Sequence, residues 1–177
     1  MPTVNVAALL RSAPGTSRTI PISLPDLEIA DDIAVAGPVE GSIRLSRTGR
    51  SILVRGEVTT RLVVPCSRCL VPAPQPVSAE IDEEALPSID IDSGLPVDTS
   101  EEPDALRLSD HHELDLDEPI RVAVSLAEPL VPLCRPDCRG LCTECGINLN
   151  DDPEHRHAGD GVDPRLAALA DLRDRLD

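Results

Sequence analysis

No phenylalanine, tyrosine, tryptophan or lysine occurs in this 177-residue chain, and its single methionine is the first residue. Without aromatics the interior must be built from Leu, Val, Ile and Ala, which forgoes about 150–250 Å² of burial for every ring a core would otherwise hold. Rings that would stack on unpaired RNA bases are missing as well. All basic residues are arginines, a bias that reads as GC-rich coding rather than as a mode of binding. No long apolar run follows a charged start, so neither a signal peptide nor a membrane span is expected, and the cytoplasm is the expected compartment. Phosphate-binding glycine loops, nucleophile elbows and His-Glu-x-x-His zinc motifs are also missing, and no enzyme is expected.

What the chain does have is acid. Its net charge is −16, and from Val77 onward eight arginines face twenty-six acids. Such a balance repels phosphate backbones and suits basic protein partners. Residues 80–118 carry most of the excess, with Arg107 alone on the positive side. Prolines and weak periodicity from Glu83 to Asp110 predict a long, partly ordered loop there.

Alternation marks the strands. Thr19–Leu24 reads as one strand, ended by Pro25. Val39, Ile43 and Leu45 lead to a Thr48-Gly49-Arg50 turn, after which Ile52, Val54, Gly56, Val58, Thr60, Leu62 and Val64 share one parity. A β-hairpin with one buried face follows from that pattern. Pro72, Pro74 and Pro76 predict an edge or irregular start for the stretch Val71–Ile81. Helical signals come later. Asp117-Glu118-Pro119 opens a helix whose Ile120, Ala123, Val124 and Ala127 form an apolar face. Asp163-Pro164 opens a terminal helix lined by Leu166, Leu169, Leu172 and Leu176.

Six cysteines fall in three short clusters: Cys66 and Cys69, Cys134 and Cys138, Cys142 and Cys145. His155 and His157 follow, making eight thiol or imidazole ligands, enough for two tetrahedral sites. The preferred grouping joins Cys66, Cys69, Cys134 and Cys138 in one site and Cys142, Cys145, His155 and His157 in the other. Two alternatives stay open: a single local site of Cys134, Cys138, Cys142 and Cys145, or one zinc ribbon made of the two Cys-x-x-Cys pairs. Gly146 suits the positive φ of a tight knuckle. A dithiol role for Cys66 and Cys69 would need the pair to open a helix, whereas prolines follow it at once. His111 and His112 read as solvated side chains.

Val-Pro-Cys66-Ser-Arg-Cys69-Leu after the hairpin, then Pro132-Leu-Cys134-Arg-Pro-Asp-Cys138-Arg-Gly140-Leu-Cys142-Thr-Glu-Cys145-Gly146-Ile-Asn148-Leu149-Asn150, and finally Asp163-Pro164-Arg165-Leu166, occur in that order. In this ordered combination the chain resembles the YceD family of large ribosomal RNA subunit accumulation proteins, in its cysteine-rich form. The resemblance implies a part in large-subunit biogenesis, in accumulation or processing of 23S rRNA, and supplies no reaction. Many members carry Cys-x-Cys where this chain has His155-Arg-His157; both residue types ligate zinc.

The expected protein is therefore α+β, mainly an antiparallel sheet with two or three helices. Residues 1–130 would form the sheet domain, with its packed helix and an acidic loop at 83–116. Residues 131–177 would form a cysteine-rich segment stapled by one or two structural zinc ions and ending in a helix. A basic ribosomal protein or large-subunit assembly factor is the expected partner, with neither membrane nor small-molecule substrate. The alternative is direct contact with 23S rRNA through Arg44, Arg47, Arg50, Arg55, Arg61 and Arg68 around the hairpin.

Overall fold

The computed structural model describes residues 3–29, 33–98, 100, 102 and 105–157. The terminal helix expected from Asp163 lies outside them. Three long strands form the centre: β4 (Val39–Thr48), β5 (Ser51–Pro65) and β6 (Pro72–Pro87). Gly49 turns β4 into β5 with φ +61°, at the first central position of a two-residue hairpin loop, where a type II′ turn puts glycine. The expected parity holds in β5, where Ile52, Val54, Val58, Leu62 and Val64 are buried. Ile43 and Leu45 of β4 and Val77, Ala79, Ile81 and Ala85 of β6 complete that face. The reverse face carries Arg44, Arg55, Glu57, Glu80 and Asp82 in solvent.

Around this meander β2 (Ser17–Leu24) pairs with β4, and β3 (Ala34–Val35) with β5. β1 (Thr3–Asn5) pairs with β8 (Glu113–Asp115), and α1 (Ala7–Leu10) follows β1, so Val4–Leu10 is half strand and half helix. α2 (Asp117–Leu126) buries Ile120 and Val124 in the main core, with Ala123 and Ala127 packed beside them. No helix among the described residues is long and apolar enough to cross a membrane.

Of the edge or irregular start expected for Val71–Ile81, the edge holds and the irregularity does not. The stretch after Val71 is a regular strand paired with β5 from Pro72 to Ala85. Its prolines are tolerated because of parity. Cys66 N–H donates to the Val71 carbonyl at 2.9 Å, so in the alternating ladder 64–73 and 62–75 are hydrogen-bonded pairs. Pro72, Pro74 and Pro76 then turn their nitrogens outward, where among the described residues β6 has no neighbouring strand before Ala85. Pro21 in β2 sits on the opposite edge of the sheet.

The acidic loop expected over 83–116 needs correction: among the described residues it is not continuous. Glu83–Pro87 complete β6, and β7 (Leu106–Leu108) runs parallel beside it, which makes the sheet mixed. Between them, Ile89 bridges Pro96, and the Asp90 carboxylate accepts the Ser93 N–H at 2.8 Å. Acidic residues concealed the end of β6 because Glu80, Asp82 and Glu84 occupy outward positions, and β7 is too short to show a pattern.

Gly56 lies between Ile43 and Ile81 in the central row of the sheet. A Cβ there would come within 2.3 Å of the Ser42 carbonyl and 2.8 Å of the Ile43 Cα. Gly56→Ala should therefore cost about 1–3 kcal/mol in denaturant unfolding. Ser42→Ala on the solvent face should stay within about 0.5 kcal/mol of the parent.

Candidate metal centre

Where β5 gives way to β6, the chain folds into a knuckle over Cys66–Val71. Leu70 N–H donates to the Cys66 carbonyl at 2.9 Å, and Leu70 adopts φ +62° to close the turn. A left-handed conformation costs a non-glycine residue about 1–2 kcal/mol. Beyond α2 the chain returns to this turn: Ser67 N–H binds the Pro132 carbonyl at 2.8 Å, and Gln75 Nε2 binds the Leu133 carbonyl at 2.9 Å. Cys134 and Cys138 arrive opposite the knuckle, and Arg68 Nη1 holds the Cys138 carbonyl at 2.7 Å. Sulfur separations are 3.8 Å for Cys66–Cys138 and 3.6 Å for Cys69–Cys134. Thiolates about 2.3 Å from a tetrahedral zinc ion stand about 3.8 Å apart, so this cage has the size the ion needs. A disulfide would need about 2.05 Å, and all six cysteines are free.

A second knuckle repeats the first. Gly146 N–H donates to the Cys142 carbonyl at 2.9 Å, Cys142 N–H to the Ile147 carbonyl at 2.8 Å, and Gly146 has φ +73°. Each bond has its counterpart at Leu70–Cys66 and Cys66–Val71. His155 and His157 close this group, with Nε2 of each 3.2 Å from Cys145 and Cys142 sulfur respectively and the two Nε2 atoms 2.9 Å apart. Tetrahedral zinc would space these atoms at about 3.5 and 3.3 Å, a small expansion. The ligand atoms within each group of four lie within 4.8 Å of one another. These are the two groups of the preferred sequence grouping. His111 and His112 take no part: His112 accepts the Val6 N–H through its carbonyl, beside the β1–β8 pair.

Outer groups that sequence reasoning missed stand beside the ligands. Asp152 Oδ2 lies 3.9 Å from His155 Nδ1, and Glu144 Oε2 lies 3.4 Å from His157 Nδ1. A carboxylate at Nδ1 keeps the proton there and leaves the Nε2 lone pair for a metal. Asn150 Nδ2 donates to Cys138 sulfur at 3.4 Å. The available signal was an acid within a few residues of each ligand, which an acidic chain supplies everywhere.

Backbone donors set the thiols apart. The N–H of Cys69, helped by that of Arg68, outweighs burial and holds Cys66 down at about 6. The N–H groups of Cys145 and Glu144 bring Cys142 down to about 6 in the same way. Loss of hydration at its sulfur, followed by the Cys69 thiol, pushes Cys134 up to about 12, although the residue as a whole is exposed. Four thiolates at these separations repel one another unless a cation sits between them.

Fold and site together define a class: a β-sheet protein whose central hairpin ends in a four-cysteine cage, with a Cys₂His₂ cage attached to it. Within that class the chain belongs to the YceD family. The family model for "Large ribosomal RNA subunit accumulation protein YceD" matches residues 54–173. An uncharacterized protein of Mycobacterium tuberculosis is 38% identical over 131 residues, covering 73% of this chain and 59% of that protein. One from Mycobacterium leprae is 35% identical over 136 residues, covering 76% and 59%. A chloroplastic maize protein, "Large ribosomal RNA subunit accumulation protein YCED homolog 1", is 30% identical over 135 residues, covering 64% and 46%. The chain thus spans 59% of the length of the mycobacterial relatives. No solved structure matches it.

Asp152→Asn together with Glu144→Gln should weaken metal binding at the Cys₂His₂ cage by about 10–100-fold, as outer partners do elsewhere. The four-cysteine cage should be unaffected. Titration against a chromogenic chelator, which resolves two affinities, checks both statements.

Proposed function

We propose that the protein is a non-enzymatic factor in large ribosomal subunit biogenesis. It supports accumulation of 23S rRNA through contacts with a basic ribosomal protein or assembly factor, and two zinc ions staple its C-terminal segment. The family match over 54–173 carries this reading. Zinc is favoured over other ions because S₄ and S₂N₂ donor sets at tetrahedral spacing suit it. Each set closes its own coordination sphere and leaves no position for a substrate, so the metal's contribution is structural. The site of action is the cytoplasm, where ribosomes assemble.

A protein partner fits the charge better than RNA does. Of the hairpin arginines, Arg50 pairs with Glu102 at 3.2 Å and Arg55 with Asp82 at 2.8 Å. Arg47 binds the carbonyls of Gly49 and Ser12, and Arg68 is spent on Cys138. Arg44 donates to Ser17 at 2.8 Å. A thiol redox role is disfavoured by the placement of Cys66 and Cys69 in a hairpin turn rather than at a helix start.

Cross-linking on pre-large-subunit particles, with a tagged chain recovered at moderate and high salt, tests the proposal. The expected result is cross-links to a basic ribosomal protein or assembly factor that survive nuclease, and lowered 23S rRNA when the protein is depleted. Loss of every ribosomal association on nuclease treatment would make RNA the partner and overturn it. Metal analysis of chain prepared without chelator should find two zinc ions. Cys142→Ser should leave one, with faster proteolysis after Gly140.

A further inference from the structure

α2 is apolar on two sides. Ile120 and Val124 face the core, but Val122 and Leu126, also one turn apart, face solvent with 43% and 82% of their surface exposed. The linker continues the stripe: Leu130 is 99% exposed and Val131 69%. Scattered exposed leucines are ordinary, but four large apolar residues exposed within ten positions of the chain are a concentration. The patch is also held in shape. Pro129 and Pro132 bracket the exposed pair, and Ser67 and Gln75 anchor the chain just beyond it.

Beside the patch lies a groove of about 250 Å³, lined by Val122, Leu126, Ile29, Ser125, Glu118 and Arg121. Ile29 and Arg121 also line an adjoining groove of about 530 Å³, together with Leu27 and Glu28. Among the described residues lining both, Arg121 is the single cation, and it is already paired with Asp117 and lies 3.7 Å from Glu118. With Glu28, three carboxylates surround one guanidinium.

We propose that the outward side of α2 and the Leu130–Val131 linker dock an amphipathic, basic segment of a partner protein, its apolar side chains on Val122, Leu126 and Leu130 and its cations against Glu118 and Glu28. This rests on the reading of a basic partner given above and names where that partner sits. The excess of acid selects against other occupants. A second copy would bring the same carboxylates face to face about a twofold axis. The chain's own segment Asp163–Asp177 has apolar residues at helical spacing but four aspartates against three arginines, so its net charge is not positive.

Because the chain has no aromatic residue, Leu130→Trp in the full-length protein places one fluorophore on the patch. The probe is a synthetic Leu/Lys peptide with leucines at helical spacing. A Leu/Glu peptide of the same pattern and a Ser/Lys peptide of the same charge are the controls. The Leu/Lys peptide alone should shift the emission to the blue. Adding Val122→Ser and Leu126→Ser should weaken its binding about tenfold or more, with the unfolding midpoint unchanged, because the apolar contact is lost while the exposed face carries none of the core.

Equal binding of either control peptide, or parental affinity in the serine variant, overturns the proposal. Emission that is already blue without peptide also overturns it: loss of that shift on dilution assigns the face to a second copy, and loss on Leu169→Asp with Leu172→Asp assigns it to the chain's own C-terminal segment. Nuclease-resistant ribosomal cross-links that persist in the serine variant would remove this surface and leave the biogenesis role standing.

Discussion

Fourteen consecutive residue pairs hold β5 against β6, from Ile52–Ala85 to Pro65–Pro72. A slip of one position would turn Val54, Val58 and Leu62 to solvent. It would also dissolve the knuckle, because Cys66 and Cys69 converge only when the turn spans the residues between Pro65 and Pro72. The same register puts Gln75 where it meets the Leu133 carbonyl, and Arg68 where its carbonyl takes the Leu141 N–H at 3.1 Å. Core, first cage and the approach to the second all depend on this one alignment. With no aromatic side chain to tighten the core, a metal clamp at its open end would carry more weight than in a richer interior; structural zinc contributes about 10–16 kcal/mol in small peptides.

How far the sequence foretold this depended on which force governed each element. β5 was legible because burial acts on every second residue, and the apolar face of α2 because burial recurs each turn. β6 was harder to read. Proline propensity argues against a strand, yet propensity concerns hydrogen bonds on both sides, and among the described residues only one side of β6 is occupied at residues 72–84. β7 and β8 are three residues each and owe their existence to partners distant in sequence, so no local pattern announces them. The grouping of ligands into fours followed from valence. Leu70 did not: a leucine at φ +62° is imposed by the knuckle against its own preference, whereas glycine at Gly146 signals the same turn openly.

Charge is distributed with a purpose that net acidity conceals. On the solvent face of the sheet Arg44 and Arg55 stand among Glu57, Glu80 and Asp82, so charges of both signs are mixed there. Around α2 the balance is different, since carboxylates there outnumber the one guanidinium and border apolar surface. Recognition by such a surface would combine desolvation with charge, and a phosphate backbone would be repelled by the carboxylates.

The three outward prolines of β6 bear on how anything approaches this molecule. An incoming strand bonds to a sheet edge through alternating donors and acceptors. Between Pro72 and Pro76 the donors on that edge are gone, and Pro21 removes one from the opposite edge. Beside the cages the β6 edge thus offers an incoming strand acceptors without donors, which disfavours backbone pairing there and leaves recognition to side chains.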